Sequence, residues 1–115
     1  MTRGKVVLVP FPFDDLMMAK VRPAVCLTET IGSRKHLVLA FVSSRVADGA
    51  LGSDLVMRED NDDFKATGLK TASTIRLHRL MTVTTSLIER EIGTLSENVQ
   101  SQVTAKLRVV FGLTG

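Results

Sequence analysis

The chain has no tryptophan and no tyrosine, one cysteine, two histidines and three prolines among its 115 residues. Each shortage closes off a class. With only five Phe as aromatics, the interior must be aliphatic, built from Val, Leu, Ile and Met. The lone Cys26 excludes an internal disulfide. Its place in the apolar run Ala24-Val25-Cys26-Leu27 is that of a small buried thiol. Two histidines and one cysteine are too few for a protein-built zinc site, and HExxH, P-loop and GxGxxG patterns are absent. The acidic run Asp60, Asp62, Asp63 lacks the spacing, the glycine and the terminal glutamate of an EF-hand, and reads as a solvated loop. No metal and no cofactor are therefore expected. No stretch approaches the roughly 20 apolar residues of a membrane span, and Pro10 interrupts the start too early for a secretory segment. A reducing cytoplasm is the expected compartment.

What is present suits one compact domain over residues 1–115. Hydrophobic residues make up 44% of the chain, enough for a core. A chain this short buries a modest share of its surface, which favours a homodimer that covers more apolar area. Lys and Arg number 15 against 12 Asp and Glu, a net charge of +3. That balance permits a polyanionic partner without requiring one.

Patterning predicts six or seven strands followed by one helix. Lys5–Val9 is a β-rich run ending at Pro10, and Pro10-Phe11-Pro12-Phe13 cannot occupy a central strand, because two of its residues lack a backbone donor. Asp14–Lys20 reads as a loop. Val21–Thr30 reads as the second strand, and His36–Ser44, the most hydrophobic run, as a central one. Arg45–Ser53 is loop, Asp54–Glu59 a short strand, and Asp60–Gly68 a polar stretch with one helical turn ending at Gly68. Ala72–Thr84 is a long strand or two strands with a bend; simple alternation puts Ile75, Leu77 and Arg79 on one side and Thr74, Arg76, His78 and Leu80 on the other. Ser86–Leu95 is a turn and a short strand. Ser96 is a good N-cap, and Val99, Val103, Leu107, Val110 and Leu113 form one apolar helical stripe that Gly112 stops. Phe41 is expected in the core and Phe111 packed by the helix. The sum is a mostly β fold, a small curled sheet or barrel closed by a C-terminal helix.

The chemistry available is a set of arginines and hydroxyls at strand ends: Arg22, Ser43, Ser44, Arg45, Arg76 and, with Arg76, His78. This inventory suits phosphoryl transfer within RNA. There the substrate supplies its own 2′-OH nucleophile and the protein supplies fixed positive charge and proton transfer. Taken singly, each residue reads better as a solvated, salt-bridged or backbone-satisfied group.

Gly4-Lys5-Val6-Val7-Leu8-Val9-Pro10-Phe11-Pro12-Phe13-Asp14-Asp15-Leu16, followed by Lys20-Val21-Arg22-Pro23-Ala24-Val25, resembles the N-terminal signature of the MazF/PemK family of bacterial toxins. Leu39-Ala40-Phe41-Val42-Ser43-Ser44, Gly68-Leu69-Lys70-Thr71-Ala72-Ser73-Thr74-Ile75-Arg76-Leu77, Thr82-Val83 and Ile92-Gly93-Thr94-Leu95-Ser96 resemble later parts of that family, so the likeness spans nearly the whole chain. It implies an SH3-like small β-barrel with a C-terminal α-helix, a homodimer, and a metal-independent endoribonuclease. Such an enzyme cuts single-stranded RNA to 2′,3′-cyclic phosphate and 5′-hydroxyl ends. It also implies a cognate antitoxin of a type II toxin-antitoxin system, with a flexible segment that covers the RNA groove. Carried over, Arg22 is the arginine at the scissile phosphate, Ser43 the catalytic Ser or Thr, and Arg76 an arginine given in some members as general acid. His78 stands where those members often have Asp, so either His78 accepts the proton or the base is arranged differently. The loop Asp14–Lys20, with Asp15 and Lys20, and the pair Ser44 and Arg45 would contact RNA.

Three other readings stay open. A CcdB-like toxin of related fold would be directed at DNA gyrase through the C-terminal helix, although the ending Phe111-Gly112-Leu113-Thr114-Gly115 promises no exposed aromatic anchor. A catalytically inactive relative would keep the barrel and only bind a partner. A plain RNA-binding barrel would need aromatic platforms that the chain scarcely has.

Overall fold

The structure, a computed structural model, describes residues 2–11, 20–46, 49 and 51–113. Six strands, β1 (Lys5–Phe11), β2 (Lys20–Cys26), β3 (His36–Ser43), β4 (Asp54–Met57), β5 (Ser73–Thr84) and β6 (Arg90–Thr94), precede one helix, α1 (Glu97–Val110). The strands form one curled antiparallel sheet in the order β4-β5-β3-β2-β1-β6, the mostly β architecture the sequence predicts. β1 runs on through Pro10, which pairs with Val21 of β2. β6 pairs β1 only from Lys5 to Leu8. Beyond that point β1 is an edge, where a proline is tolerated. The hydrophobic run of β3 is central as expected, flanked by β2 and β5.

The two faces of the sheet bury separate aliphatic clusters. Val6, Val25, Ala40, Val42, Ile75 and Leu77 point to the face that α1 covers with Val99 and Val103. Val7, Val9, Ala24, Cys26, Leu37, Leu39 and Val83 form the second cluster, joined by the half-buried Phe41 and Met81. Strand alternation explains this division in β1, β2 and β3. In β5 it does not, because the register slips. Phe41 lies opposite Arg76 while its neighbour Ala40 lies opposite Leu80, so Leu77, His78 and Arg79 are extra residues on β5. An odd insertion reverses the alternation. Odd-numbered Ile75 and Leu77 face the helix, whereas odd-numbered Met81 and Val83 face the second cluster and Leu80 takes the helix side. The expected placement of Leu80 beside Arg76 is thereby corrected.

The helix starts as its sequence requires: the Ser96 side chain accepts from the Val99 N–H at 3.1 Å. Gly112, at φ +67°, ends it. The apolar stripe is shorter than expected. Val99 and Val103 are buried and Leu107 packs against the same core, but Val109 (79% exposed), Phe111 (58%) and Leu113 (63%) stand out at the C-terminal end. Phe111 is thus not packed by the helix. It and Leu113 border a cavity of about 420 Å³ between α1 and the ends of β1 and β2.

The curl is held where the β4–β5 connection meets β6 at the other edge of the sheet. A 3₁₀ turn, Lys65–Thr67, closes on Gly68 in the left-handed region at φ +73°. A Cβ on Gly68 would overlap the Ile92 carbonyl, and one on Gly93 would overlap the Thr67 carbonyl. Only glycine permits backbone to lie on backbone here. Thr67, fully buried, donates from Oγ1 to the Phe64 carbonyl at 2.6 Å and holds the turn.

Candidate functional site

On the face away from α1, directly opposed residues form two rows across the strands. Val7, Ala24, Phe41, Arg76 and Asp54 make one row, from β1 through β2, β3 and β5 to β4. Ser43, Thr74 and Val56 make the next. Arg22 lies two residues before Ala24 on β2, and the β2–β3 register continued by two residues sets it opposite Ser43. Arg22, Ser43, Phe41, Arg76 and Asp54 therefore share one face on adjoining strands.

Each is held differently. Arg22 is half-buried, across from Val9. Ser43 is buried at the end of β3, and its Oγ accepts from the Arg45 N–H at 3.1 Å. Thr74 donates from Oγ1 to the Arg45 carbonyl at 2.9 Å, so both hydroxyls brace the chain as it leaves β3. Ser44 and Arg45 are exposed immediately beyond, and Lys20 is exposed at the start of β2. Asp15 lies outside the described residues.

The centre of the group is a carboxylate. Asp54, at the head of β4, has a fully buried side chain, while that of Arg76 is 17% exposed. Asp54 Oδ1 accepts from Arg76 Nε at 3.2 Å and stands 3.9 Å from His78 Nδ1; Oδ2 accepts from the Leu51 N–H at 3.2 Å. His78 Nδ1 is also 2.8 Å from Ser53 Oγ. Arg76 and His78 are thus brought together, as the alternation suggested, but by the bulge and a shared acid rather than by a regular strand. Arg79 corrects the expectation outright. It lies over the Phe41 ring at 4.9 Å from the centroid, on the Arg76 side of the sheet and not with Ile75. Phe41 is correspondingly half-exposed rather than enclosed in the core.

Asp54 and Ser53 were not among the residues singled out from the sequence. The visible signal was an acid opening an otherwise apolar run, Asp54-Leu55-Val56-Met57, in a chain whose Arg76-Leu77-His78 stretch needs a counter-charge. What set them together is the β4–β5 register, which no local pattern reveals. Away from this group, burial pushes the Cys26 thiol up to about 11, as for a packed and unreactive side chain. Among the described residues no three of His, Cys, Asp and Glu cluster closely enough to hold a metal ion.

No helix of the described residues is long and apolar enough to cross a membrane. Several solved structures share the fold. The Mycobacterium tuberculosis toxin MazF-mt6 is 17% identical, with a TM-score of 0.74 over 96% of this chain and 99% of its own. MazE-MazF (Form-II) from Deinococcus radiodurans is 14% identical, with a TM-score of 0.76 over 99% and 97%. An endoribonuclease in complex with its cognate antitoxin from a Mycobacterial species is 12% identical, with a TM-score of 0.72 over 100% and 98%. No curated protein matches the chain in sequence. The model of the PemK-like, MazF-like toxins of type II toxin-antitoxin systems matches residues 2–111. With nearly its full length matched, this chain belongs to that toxin family.

Proposed function

We propose that the protein is the toxin endoribonuclease of a type II toxin-antitoxin system, cutting single-stranded RNA without a metal ion. The observation that carries this reading is the single sheet face on which Arg22, Ser43 and Arg76 lie on neighbouring strands, with His78 drawn in beside the Asp54 that also holds Arg76. Family membership supports it, as does the likeness of fold to structures described as MazF toxins and an endoribonuclease.

In this mechanism the 2′-oxygen of the RNA attacks the adjacent phosphorus, the P–O5′ bond breaks, and a 2′,3′-cyclic phosphate and a 5′-hydroxyl result. Arg22 and Arg76 supply permanent positive charge to the phosphate as it gains negative charge. Ser43 donates a hydrogen bond to a phosphate oxygen. With His78 Nδ1 beside Ser53, Nε2 is the ring nitrogen turned to the substrate, and it accepts the 2′-OH proton. The departing 5′ oxygen takes up a proton. The resemblance gives that step to Arg76, but an arginine beside a buried carboxylate acts as a fixed charge, which leaves water as the donor. Exposed Lys20, Ser44 and Arg45 flank this face for backbone contacts, and Asp15 belongs to the same RNA-contacting set. One domain, a cytoplasmic location, a homodimer and a cognate antitoxin complete the proposal.

Cleavage of a long unstructured RNA in EDTA, with ends mapped, tests it. Discrete cuts with 5′-hydroxyl ends are expected, with a rate about 100-fold lower in Arg22→Ala. An Arg22→Ala protein that cuts as fast as its parent would refute the mechanism. One observation favours a second reading. The exposed Val109, Phe111 and Leu113 at the end of α1 offer the apolar anchor that a gyrase-directed toxin of this fold would use. Inhibition of gyrase supercoiling, with no RNA cut, would select it.

A further inference from the structure

We propose that Asp54 is a positioning residue of the RNA site, holding Arg76 and His78 as one preset unit. The inference rests on the endoribonuclease reading for its purpose, but its geometry stands alone. A buried carboxylate is costly to desolvate, and an apolar side chain at the head of β4 would avoid that cost. Here the cost is met by three groups that converge on the two oxygens: the Leu51 N–H, Arg76 Nε and, at 3.9 Å, His78 Nδ1. Ser53, the preceding residue, takes the same ring nitrogen of His78 at 2.8 Å.

The arrangement acts on orientation. A bond to Nε restrains the plane of the Arg76 guanidinium. An arginine left unheld would have to give up its rotamer freedom each time RNA arrived. His78 lies within the β5 bulge, out of register with β3, and Ser53 and Asp54 at the head of β4 supply its direction. Because charge stabilisation depends on sub-ångström placement, a loosened Arg76 binds RNA adequately yet meets the transition state poorly. Asp54 touches no substrate in this scheme and works through its two neighbours.

The test is a double-mutant cycle read by single-turnover cleavage with Asp54→Asn, Arg76→Ala and the pair. The expected result is a fall in the maximal rate of about 10-fold or more for Asp54→Asn, with the half-saturating RNA concentration changed less than about threefold, and a clearly smaller further fall, the part that acts through His78, when Asp54→Asn is added to Arg76→Ala. A loss of equal size with and without Arg76, or one that only tracks the folded fraction in a thermal melt, overturns the proposal. The NMR signal of the Arg76 Nε–H, recorded without RNA, decides the matter independently of activity. It is expected resolved and slow to exchange in the parent and averaged in Asp54→Asn. An unchanged signal sinks the positioning role. If the parent cuts no RNA while this signal behaves as expected, the nuclease reading fails and the positioning of Arg76 survives.

Discussion

The two stretches of β5 on either side of its bulge use the same alternation to opposite ends. Up to the first residue of the bulge, Ile75 and Leu77 anchor the sheet to α1 while Arg76 turns to the open face. After it, Leu80 takes the helix side and Met81 and Val83 build the far cluster. Three extra residues separate a strand that displays charge from one that buries aliphatics on the same face. The bulge thus sets the boundary between the candidate site and the second core.

Substitutions on the two sides should separate stability from RNA handling. The largest effect is expected for Leu77→Ala, which opens a cavity beneath α1 and should cost about 2–5 kcal/mol in denaturant unfolding, while the protein that remains folded still cuts RNA. Loss of cleavage without loss of stability would mean that Leu77 shapes the site rather than the core. A smaller effect is expected for Arg79→Ala. Its stack on Phe41 should be worth about 0.5–1 kcal/mol of stability. If Arg79 also meets RNA, the slope of log affinity against log salt should fall by about 1. An unchanged salt slope would confine Arg79 to covering Phe41. A last effect, confined to alkaline pH, concerns Cys26, at the aliphatic end of the far face, opposite Leu39. Its thiol ionises near 11 in the folded chain against an ordinary value of 9.0. The unfolded chain therefore loses this proton first. The contribution to stability is complete below about pH 9 and fades as pH rises toward 11. The stability gap between parent and Cys26→Ala should stay constant at neutral pH and shift against the parent as pH approaches 11. A gap that does not move with pH would mean that the thiol ionises alike in the folded and unfolded chains.

Most of the strands and the helix were legible because their signals are local. Ser96 announces the helix start, Gly68 the end of a turn, and the Val- and Leu-rich runs their strands. Pro10 was read correctly as unfit for a central strand. It nonetheless belongs to β1, because β6 pairs only as far as Leu8. A bend in this stretch was among the readings, but the place and size of the bulge were not legible, since Leu77-His78-Arg79 alternates perfectly well as a sequence and slips only against its partner β3. The exposed Phe111 was missed for a similar reason: its helical spacing is sound, but it borders the cavity beside Gly4 and Leu27 without being enclosed by it. At the candidate site, Arg22 and Ser43 stood out as an arginine and a hydroxyl at strand ends and took their roles from the family resemblance, while the pairing of Arg76 with His78 came from spacing. Asp54 escaped because its significance lies in pairing between two strands of unrelated sequence.

The position of that acid carries one more consequence. β4 is an outer strand of the sheet and only four residues long. Open outer strands invite other chains to add on by backbone pairing, and short length and an inward-directed charge are two ways of discouraging it. With Asp54 at its head, β4 has both, so the same carboxylate that orders Arg76 also makes this rim of the sheet a poor template for aggregation.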